Sequence, residues 1–246
     1  MTDDVLYERM LDSMEAFFGR VAERTIGPDG VLAAVTPSIP DRSVFNSVVY
    51  RDPEALLAAR DELEAAYLEA GVQAWTVWTP EGDTAMARGL EAAGHVLDAW
   101  PEAMAAPLAD LDVARGAEGL DWERGPQLIA EMCSVLEEAF HWPAGPAARR
   151  MAWMEEVYVA RDGGVPVACV AAMHVDGDCA IWNVGTREAA RGRGLATGLM
   201  RQALLDAREA GCETTTLQAT QLGRPVYRRV GYRELGALQM WERRRS

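Results

Sequence analysis

The sequence predicts a mixed α/β (α+β) fold, a mostly antiparallel sheet flanked by helices. Three observations lead there. Short β-branched runs alternate along the whole chain with runs whose apolar residues recur at helical spacing. Two turn-rich tripeptides, Asp162-Gly163-Gly164 and Asp176-Gly177-Asp178, separate three successive strand-like runs and make hairpins of them. A glycine-bearing turn, Arg191-Gly192-Arg193-Gly194-Leu195-Ala196, stands between a strand-like run and an amphipathic one.

The first 110 residues carry their own alternation. Val5 to Val21 is an amphipathic helix. Val31 to Val35 and Ser43 to Tyr50 read as strands. Pro53 to Ala70 is a helix, with Asp52 as its N-cap and Gly71 as its stop. Val72 to Trp78 is a strand, Asp83 to Ala93 a helix ending at Gly94, and Val96 to Leu108 is extended. Pro101 and Pro107 restrict that last run to edge or broken strands. The segment Ala109 to Gly119 is small, charged and glycine-bearing. It divides the chain into domains at 1–110 and 111–246.

In the second half, Leu120 to Arg124 forms an edge strand, and Gly125 to Phe140 a helix with Pro126 in its first turn. His141-Trp142-Pro143 breaks it, and Ala147 to Met154 is a second short helix. Glu156 to Arg161 and Val165 to Val175 form a hairpin, followed by a strand from Cys179 to Thr186. Leu195, Leu199, Met200, Ala203, Leu204 and Ala207 make a helical stripe that ends at Gly211. Thr214 to Ala219 is β-branched and reads as a strand. A short helix from Leu222 to Val230 ends at Gly231-Tyr232.

Composition narrows the class. The chain of 246 residues is 49% apolar, long enough for one or two domains with a substantial core. No apolar run approaches the ~20 residues a bilayer span needs. The opening Met1-Thr2-Asp3-Asp4 is acidic, unlike a secretory leader. A cytoplasmic protein without a membrane partner is the expectation. Cys133, Cys169, Cys179 and Cys212 are widely spaced, and His95, His141 and His174 are scattered, so no metal site is expected. The net charge of −14 argues against nucleic acid as a partner. It is unevenly shared: 7 arginines face 20 acids up to Asp110, whereas 9 face 4 between Arg187 and Arg233. The basic segment contains the glycine turn, which suits an anionic ligand. The Arg243-Arg244-Arg245 end reads as a solvated terminus.

A glycine turn that opens a helix is an anion site, because the first helical N–H groups lack intrahelical partners and the helix dipole favours negative charge. Gly192 and Gly194 allow close backbone approach. The turn is not a dinucleotide fingerprint, since Thr197 stands where the third glycine of G-x-G-x-x-G belongs. Nor is it a Walker loop, since the chain has no lysine. The spelling Arg191-x-x-Gly194-x-Ala196 fits R/Q-x-x-G-x-G/A. This resembles the acyl-CoA pyrophosphate loop of the GNAT N-acyltransferase superfamily. Gly223-x-x-x-Tyr227-x-x-x-Gly231-Tyr232 is similar to that family's A-x-x-x-Y-x-x-x-G-F signature. The resemblance covers about Asp178 to Trp241. Thr220-Gln221 departs from it, where the family often has Asn or Ser before the last helix.

The resemblance implies acetyl-CoA as co-substrate and a GNAT-type sheet. It places pyrophosphate on Arg191, Gly192, Arg193, Gly194, Leu195, Ala196 and Thr197. Pantetheine pairs along Val184, Gly185 and Thr186, with the neighbouring strand splayed away. A main-chain N–H near Val184 faces the thioester oxygen, and Tyr227 protonates the leaving thiolate. Asn183 and Gln218 line the acceptor side. No general base stands out. Counting by twos from Thr186 puts Val184, Trp182, Ala180 and Asp178 on one strand face, so Asp178 is a candidate beside Glu138, Glu155, His141, His174 and a water chain. The acceptor is a primary amine of a small molecule or peptide, cationic if the acidic N-terminal half attracts it, and the protein is a monomer or homodimer. The alternatives are a non-catalytic CoA sensor and a protein-interaction module. Leu90-x-x-x-Gly94-His95, then Met104, parallels Tyr227-x-x-x-Gly231-Tyr232, then Met240. The N-terminal half is therefore either a degenerate copy without a CoA loop or an unrelated α/β cap.

Overall fold

A computed structural model of the chain describes residues 1–114, 116–141 and 145–245. In chain order these form α1 (Asp3–Val21), β1 (Arg24–Ile26), β2 (Val31–Val35), β3 (Ser47–Tyr50), α2 (Pro53–Glu69), β4 (Ala74–Pro80), α3 (Thr84–Ala92), β5 (Val96–Ala99) and β6 (Glu102–Pro107). There follow β7 (Asp121–Arg124), α4 (Ile129–Phe140), α5 (Gly145–Arg150), β8 (Glu156–Asp162), β9 (Val165–Val175), β10 (Asp178–Thr186), α6 (Leu195–Glu209), β11 (Thr214–Ala219), α7 (Arg224–Val230) and β12 (Arg233–Arg244). The fold is mixed α/β, and most strand pairs are antiparallel; β3–β4 and β10–β11 are the parallel ones among those described.

Two compact units can be distinguished. One comprises Met1–Ser13, Met104–Leu217 and Leu222–Glu234; the other comprises Met14–Ala103, Gln218–Gln221 and Leu235–Ser246. In the second, strands run in the order β1-β2-β3-β4-β12, with β5 also paired to β12. Its core packs Val31, Val48, Leu56, Tyr67, Trp75 and Trp241. Asp52 caps α2 by accepting from the amides of Glu54 and Ala55, and Asp83 caps α3 through Met86. The expected strand over Ser43–Tyr50 begins only at Ser47, because Ser43–Phe45 is a 3-10 turn. Buried Asn46 causes this: it accepts from the Thr36 amide at 2.8 Å and donates to the carbonyls of Ile39 and Arg42 at 3.1 Å each. The extended run from Val96 breaks at Trp100-Pro101, as its prolines predict.

The Arg243-Arg244-Arg245 end is not a free terminus. Arg243 and Arg244 lie in β12, opposite Trp75 and Ala74 of β4. Arg244 also pairs with Glu242 at 2.8 Å. The ladder and cross-strand contacts outweigh the solvation of a charge run.

In the first unit strands run β6-β11-β10-β9-β8-β7, and β7 is the edge expected from sequence. β8 and β9 form the hairpin anticipated at Asp162-Gly163-Gly164. All six stripe residues of α6, from Leu195 to Ala207, are buried. Gly198 belongs to the same helix, and a Cβ there would meet Leu120 Cδ1 at 2.8 Å. The second short helix, expected over Ala147 to Met154, forms over Gly145–Arg150 instead. Met151 and Met154 are buried beyond it. Trp142 and Pro143, assigned as helix breakers, lie outside the described residues.

Candidate active site

β10 carries the geometry that organises the site. It pairs with β11 only through Asp178–Ala180 opposite Thr214–Thr216. From Ile181 onward no ladder joins the two strands, although both continue, β10 to Thr186 and β11 to Ala219. On its other side β10 pairs with β9 throughout, except at a bulge between Trp182 and Gly185. There Asn183 and Val184 together occupy the space opposite Val170, and Asn183 takes a left-handed φ of 52°. The extra residue breaks the count by twos, so Asp178 does not share a face with Val184 as simple alternation predicts. Gly185 is buried beneath α4, where a Cβ would lie 3.0 Å from Leu136 Cδ2 and 3.3 Å from Cys169 Sγ.

Beyond Thr186 the chain turns through Glu188–Ala190 into the glycine loop. Gly192 and Gly194 have φ of 77° and 76°, backbone that L side chains rarely adopt. A Cβ on either would meet nothing within 4 Å, so the space above the loop is open. Gly194 is the N-cap of α6 and offers no side-chain cap. The first helical bond runs from Gly198 N–H to the Gly194 carbonyl. The amides of Leu195, Ala196 and Thr197 therefore find no acceptor among the described residues. This is the chemistry an anionic group requires: several oriented N–H donors, a helix dipole and no side chain in the way. Arg191 donates to the Thr186 carbonyl at 3.3 Å, and Arg193 pairs with Asp162 at 2.5 Å. The corresponding position in the second unit, where β3 leads into α2, is different. There the Asp52 carboxylate already occupies the first amides.

Tyr227 sits on α7 and is buried, 7% exposed. Its ring meets Tyr232 edge-on, with centroids 5.9 Å apart. Its phenol takes no hydrogen bond from a described residue, and burial pushes its pKa up, so it stays protonated. Tyr232 is held in turn: its hydroxyl lies 2.8 Å from Thr215 Oγ1, which donates to the Cys179 carbonyl at 2.6 Å. α7 is only seven residues long. Glu234 ties its first turn to its last by accepting from both Arg224 and Arg228.

The remaining sequence candidates are distributed as follows. Asn183 turns its carboxamide to sulfur, donating to Met151 Sδ at 3.3 Å and Met154 Sδ at 3.7 Å. Gln218 is half-buried near the end of β11, in the second unit. Asp178 is not at a mouth: it is 1% exposed and accepts from Ser13, Thr214 and Thr216. Glu138 pairs with Arg187, and Glu155 and His141 are exposed. His174, opposite Cys179 on β9, is half-buried. Sequence reasoning missed Ser13, Thr216 and Glu234, and gave Tyr232 no role beyond its place in the signature, because each acts through a partner elsewhere in the chain. Among the described residues no group of three or more His, Cys, Asp or Glu could hold a metal ion. No helix among them is long and apolar enough to cross a membrane.

Residues 153–234 match the family model of the acetyltransferase (GNAT) domain. The fold is that of solved GCN5-related N-acetyltransferases. One from Kribbella flavida is 19% identical, with 95% of this chain and 94% of that one covered at a TM-score of 0.73. Another from Sphaerobacter thermophilus is 19% identical, covering 87% and 76% at 0.60. A conserved protein of unknown function from Staphylococcus epidermidis is 17% identical, covering 91% and 94% at 0.66. No curated protein matches the sequence. The segment from β8 to the start of β12 thus matches a GNAT acetyltransferase domain, and the fold of the chain is that of the solved GCN5-related N-acetyltransferases.

Proposed function

We propose that the chain is an N-acetyltransferase that moves an acetyl group from acetyl-CoA directly to a primary amine of a small molecule or peptide. The observation that carries this reading is the loop Arg191–Thr197. Its left-handed glycines, open space and unclaimed amides suit a pyrophosphate, and they lie inside the segment that matches the acetyltransferase family.

Acetyl-CoA supplies an activated thioester carbonyl. In this reading the amides of Arg193, Gly194, Ala196 and Thr197 hold its pyrophosphate, with help from Arg191 and Gly192. Val184, Gly185 and Thr186 line the pantetheine arm, on the side of β10 that β11 leaves unpaired. The Val184 N–H faces the oxygen on which charge develops; one oriented donor of this type contributes about 3–4 kcal/mol to a transition state. The amine nitrogen forms the new C–N bond, the C–S bond breaks, and Tyr227 gives its proton to the departing sulfur. The amine's own proton leaves through water, since the burial of Asp178 removes it from the candidates. Asn183 stands on the acceptor side, and an acidic N-terminal half favours a cationic acceptor. We place catalysis in residues 111–246, in a monomer or homodimer that needs no metal and works in the cytoplasm.

Calorimetric titration with acetyl-CoA and CoA tests the reading, on the wild type and on Gly194→Asp. Aspartate tolerates left-handed backbone better than most residues, so the variant chiefly sets a negative charge where phosphate would lie. Micromolar or tighter binding that the variant loses supports the cofactor site. A folded wild type that binds neither ligand overturns it.

A further inference from the structure

Asp178 opens β10 directly after the turn at Asp176-Gly177, where φ is 45° and 82°. Ser13 of α1 donates to its Oδ2 at 2.8 Å, Thr216 to the same oxygen at 2.6 Å, and Thr214 to Oδ1 at 2.7 Å. All four residues are buried. Burial pushes the carboxyl pKa up, and the hydroxyls pull it back. Three donors on one enclosed carboxylate form a tight, directional cluster, because a carboxylate only accepts and each hydroxyl must spend its single proton on it.

The cluster's position gives it a consequence for the site. Thr214 and Thr216 are the first and last β11 residues in register with β10, and the strands part at the next residue. Asp178 therefore grips both ends of the only stretch over which β10 and β11 are paired. At about 3.3 Å per residue, and with Asn183 and Val184 sharing one register position, Val184 lies roughly 10 Å beyond Ala180 along the unpaired part of β10. A strand pair clamped at one end opens as a wedge whose apex is fixed. Loosening the apex changes the width all along the wedge.

We infer that Asp178, with Ser13, Thr214 and Thr216, is a positioning cluster that sets the opening between β10 and β11 and thereby the fit of the pantetheine arm. This inference rests on the acyl-CoA reading above. The cluster acts on the arm alone, because the pyrophosphate loop lies beyond the far end of β10 and takes its shape from Gly192, Gly194 and α6.

That separation defines the experiment. CoA and its nucleotide half, adenosine 3′-phosphate 5′-diphosphate, are titrated into the wild type, Asp178→Asn and Thr216→Val. Asp178→Asn keeps the shape but replaces one acceptor by a donor, and Thr216→Val removes a single hydroxyl at the point of divergence. We expect Kd for CoA to rise about 10-fold in both variants, while that for the nucleotide stays within about twofold. If CoA binds the variants as it binds the wild type, or if both ligands weaken alike, Asp178 is structural only and the inference is wrong. Ser13→Ala, which leaves both strands intact, serves where Asp178→Asn fails to fold, with the same two readouts. A wild type that binds neither ligand overturns the acyl-CoA reading itself, and the inference falls with it; that result is distinct from the other two.

Discussion

The ring of Tyr227 rests edge-on against Tyr232, with centroids 5.9 Å apart and planes inclined at 66°. Tyr232 spends its hydroxyl on Thr215, whereas the phenol of Tyr227 has no partner among the described residues. One tyrosine is thereby an anchor, and the other keeps its proton available. Tyr227→Phe should keep the fold and the affinity for CoA but lower kcat by about 10²-fold, the usual contribution of a general acid. Stopped-time assays and calorimetry on the same preparation check this. Undiminished turnover would give the proton to water instead. A wild type that binds CoA without turning over any amine would favour the sensor role.

The second unit repeats part of the first in element order: β2-β3-α2-β4-α3 runs like β9-β10-α6-β11-α7, with an antiparallel and then a parallel pairing in each. At the equivalent helix start, Asp52 fills the amides with its own carboxylate at 2.9 and 3.0 Å. A phosphate would meet both a blocked donor set and a like charge. Titration with CoA should therefore give one site per chain. Asp52→Ala should leave that stoichiometry unchanged while lowering stability by about 1 kcal/mol, the usual cost of a lost N-cap. Two sites per wild-type chain would contradict this.

Much of this was legible in the sequence because it depends on local chemistry. The α6 stripe, the β8–β9 hairpin, the Asp52 cap and the left-handed glycines at 192 and 194 follow from periodicity and backbone sterics alone. What could not be read depends on residues far apart in the chain. Asp176-Gly177-Asp178 looks like a turn with a solvated acid until Ser13, Thr214 and Thr216 close around Asp178. The bulge at Asn183 has no glycine to announce it, and it shifts the parity of every side chain before it. The final arginines read as a loose end because their pairing partner, β4, lies over 160 residues earlier.

Asp162 holds Arg193 of the glycine loop at 2.5 Å, and both side chains are about half exposed, at 55% and 48%. The arginine keeps the Asp162 carboxyl below its ordinary range. An acid beside a phosphate loop opposes an incoming anion and occupies a cation that could meet it. Asp162→Asn should tighten CoA binding by about 3-fold at low salt, in line with the modest energies of exposed ion pairs. The gain should fade as salt screens the charges. Titrations at two ionic strengths check this. Weaker binding in the variant would mean that Asp162 orients Arg193 productively.

Glu234 accepts from Arg224 and Arg228, and these two guanidiniums lower its pKa to about 2 from a usual 4.5. A helix as short as α7 has little stability of its own, so this carboxylate helps fix Tyr227. A folded pKa below the unfolded one means that the contribution is complete above about pH 5 and is lost as pH falls toward 2. Glu234→Gln should therefore be less stable than the wild type at neutral pH, and the gap should close between about pH 4.5 and 2. Urea denaturation across that range measures it. A gap that does not change with pH would remove the charge from the explanation.

His95 gives the opposite test in the second unit. It is 5% exposed, packs edge-on against Trp75, and neither ring nitrogen has a hydrogen-bond partner among the described residues. Burial, only partly opposed by the nearby Leu90 backbone and reinforced by the charges of Arg243 and Arg60, lowers its pKa from 6.5 to about 4. Below pH 6.5 the unfolded chain takes a proton that the folded one refuses, so stability falls as pH drops from 6.5 to 4, by about 3 kcal/mol in all. His95→Phe removes that proton from both states. At pH 7 the variant should be as stable as the wild type or slightly more so, because no partner is left unpaired. From pH 6.5 to 4 it should lose less stability than the wild type does. Parallel slopes for the two proteins would show that the histidine is protonated in the folded state and that some group already shares its proton.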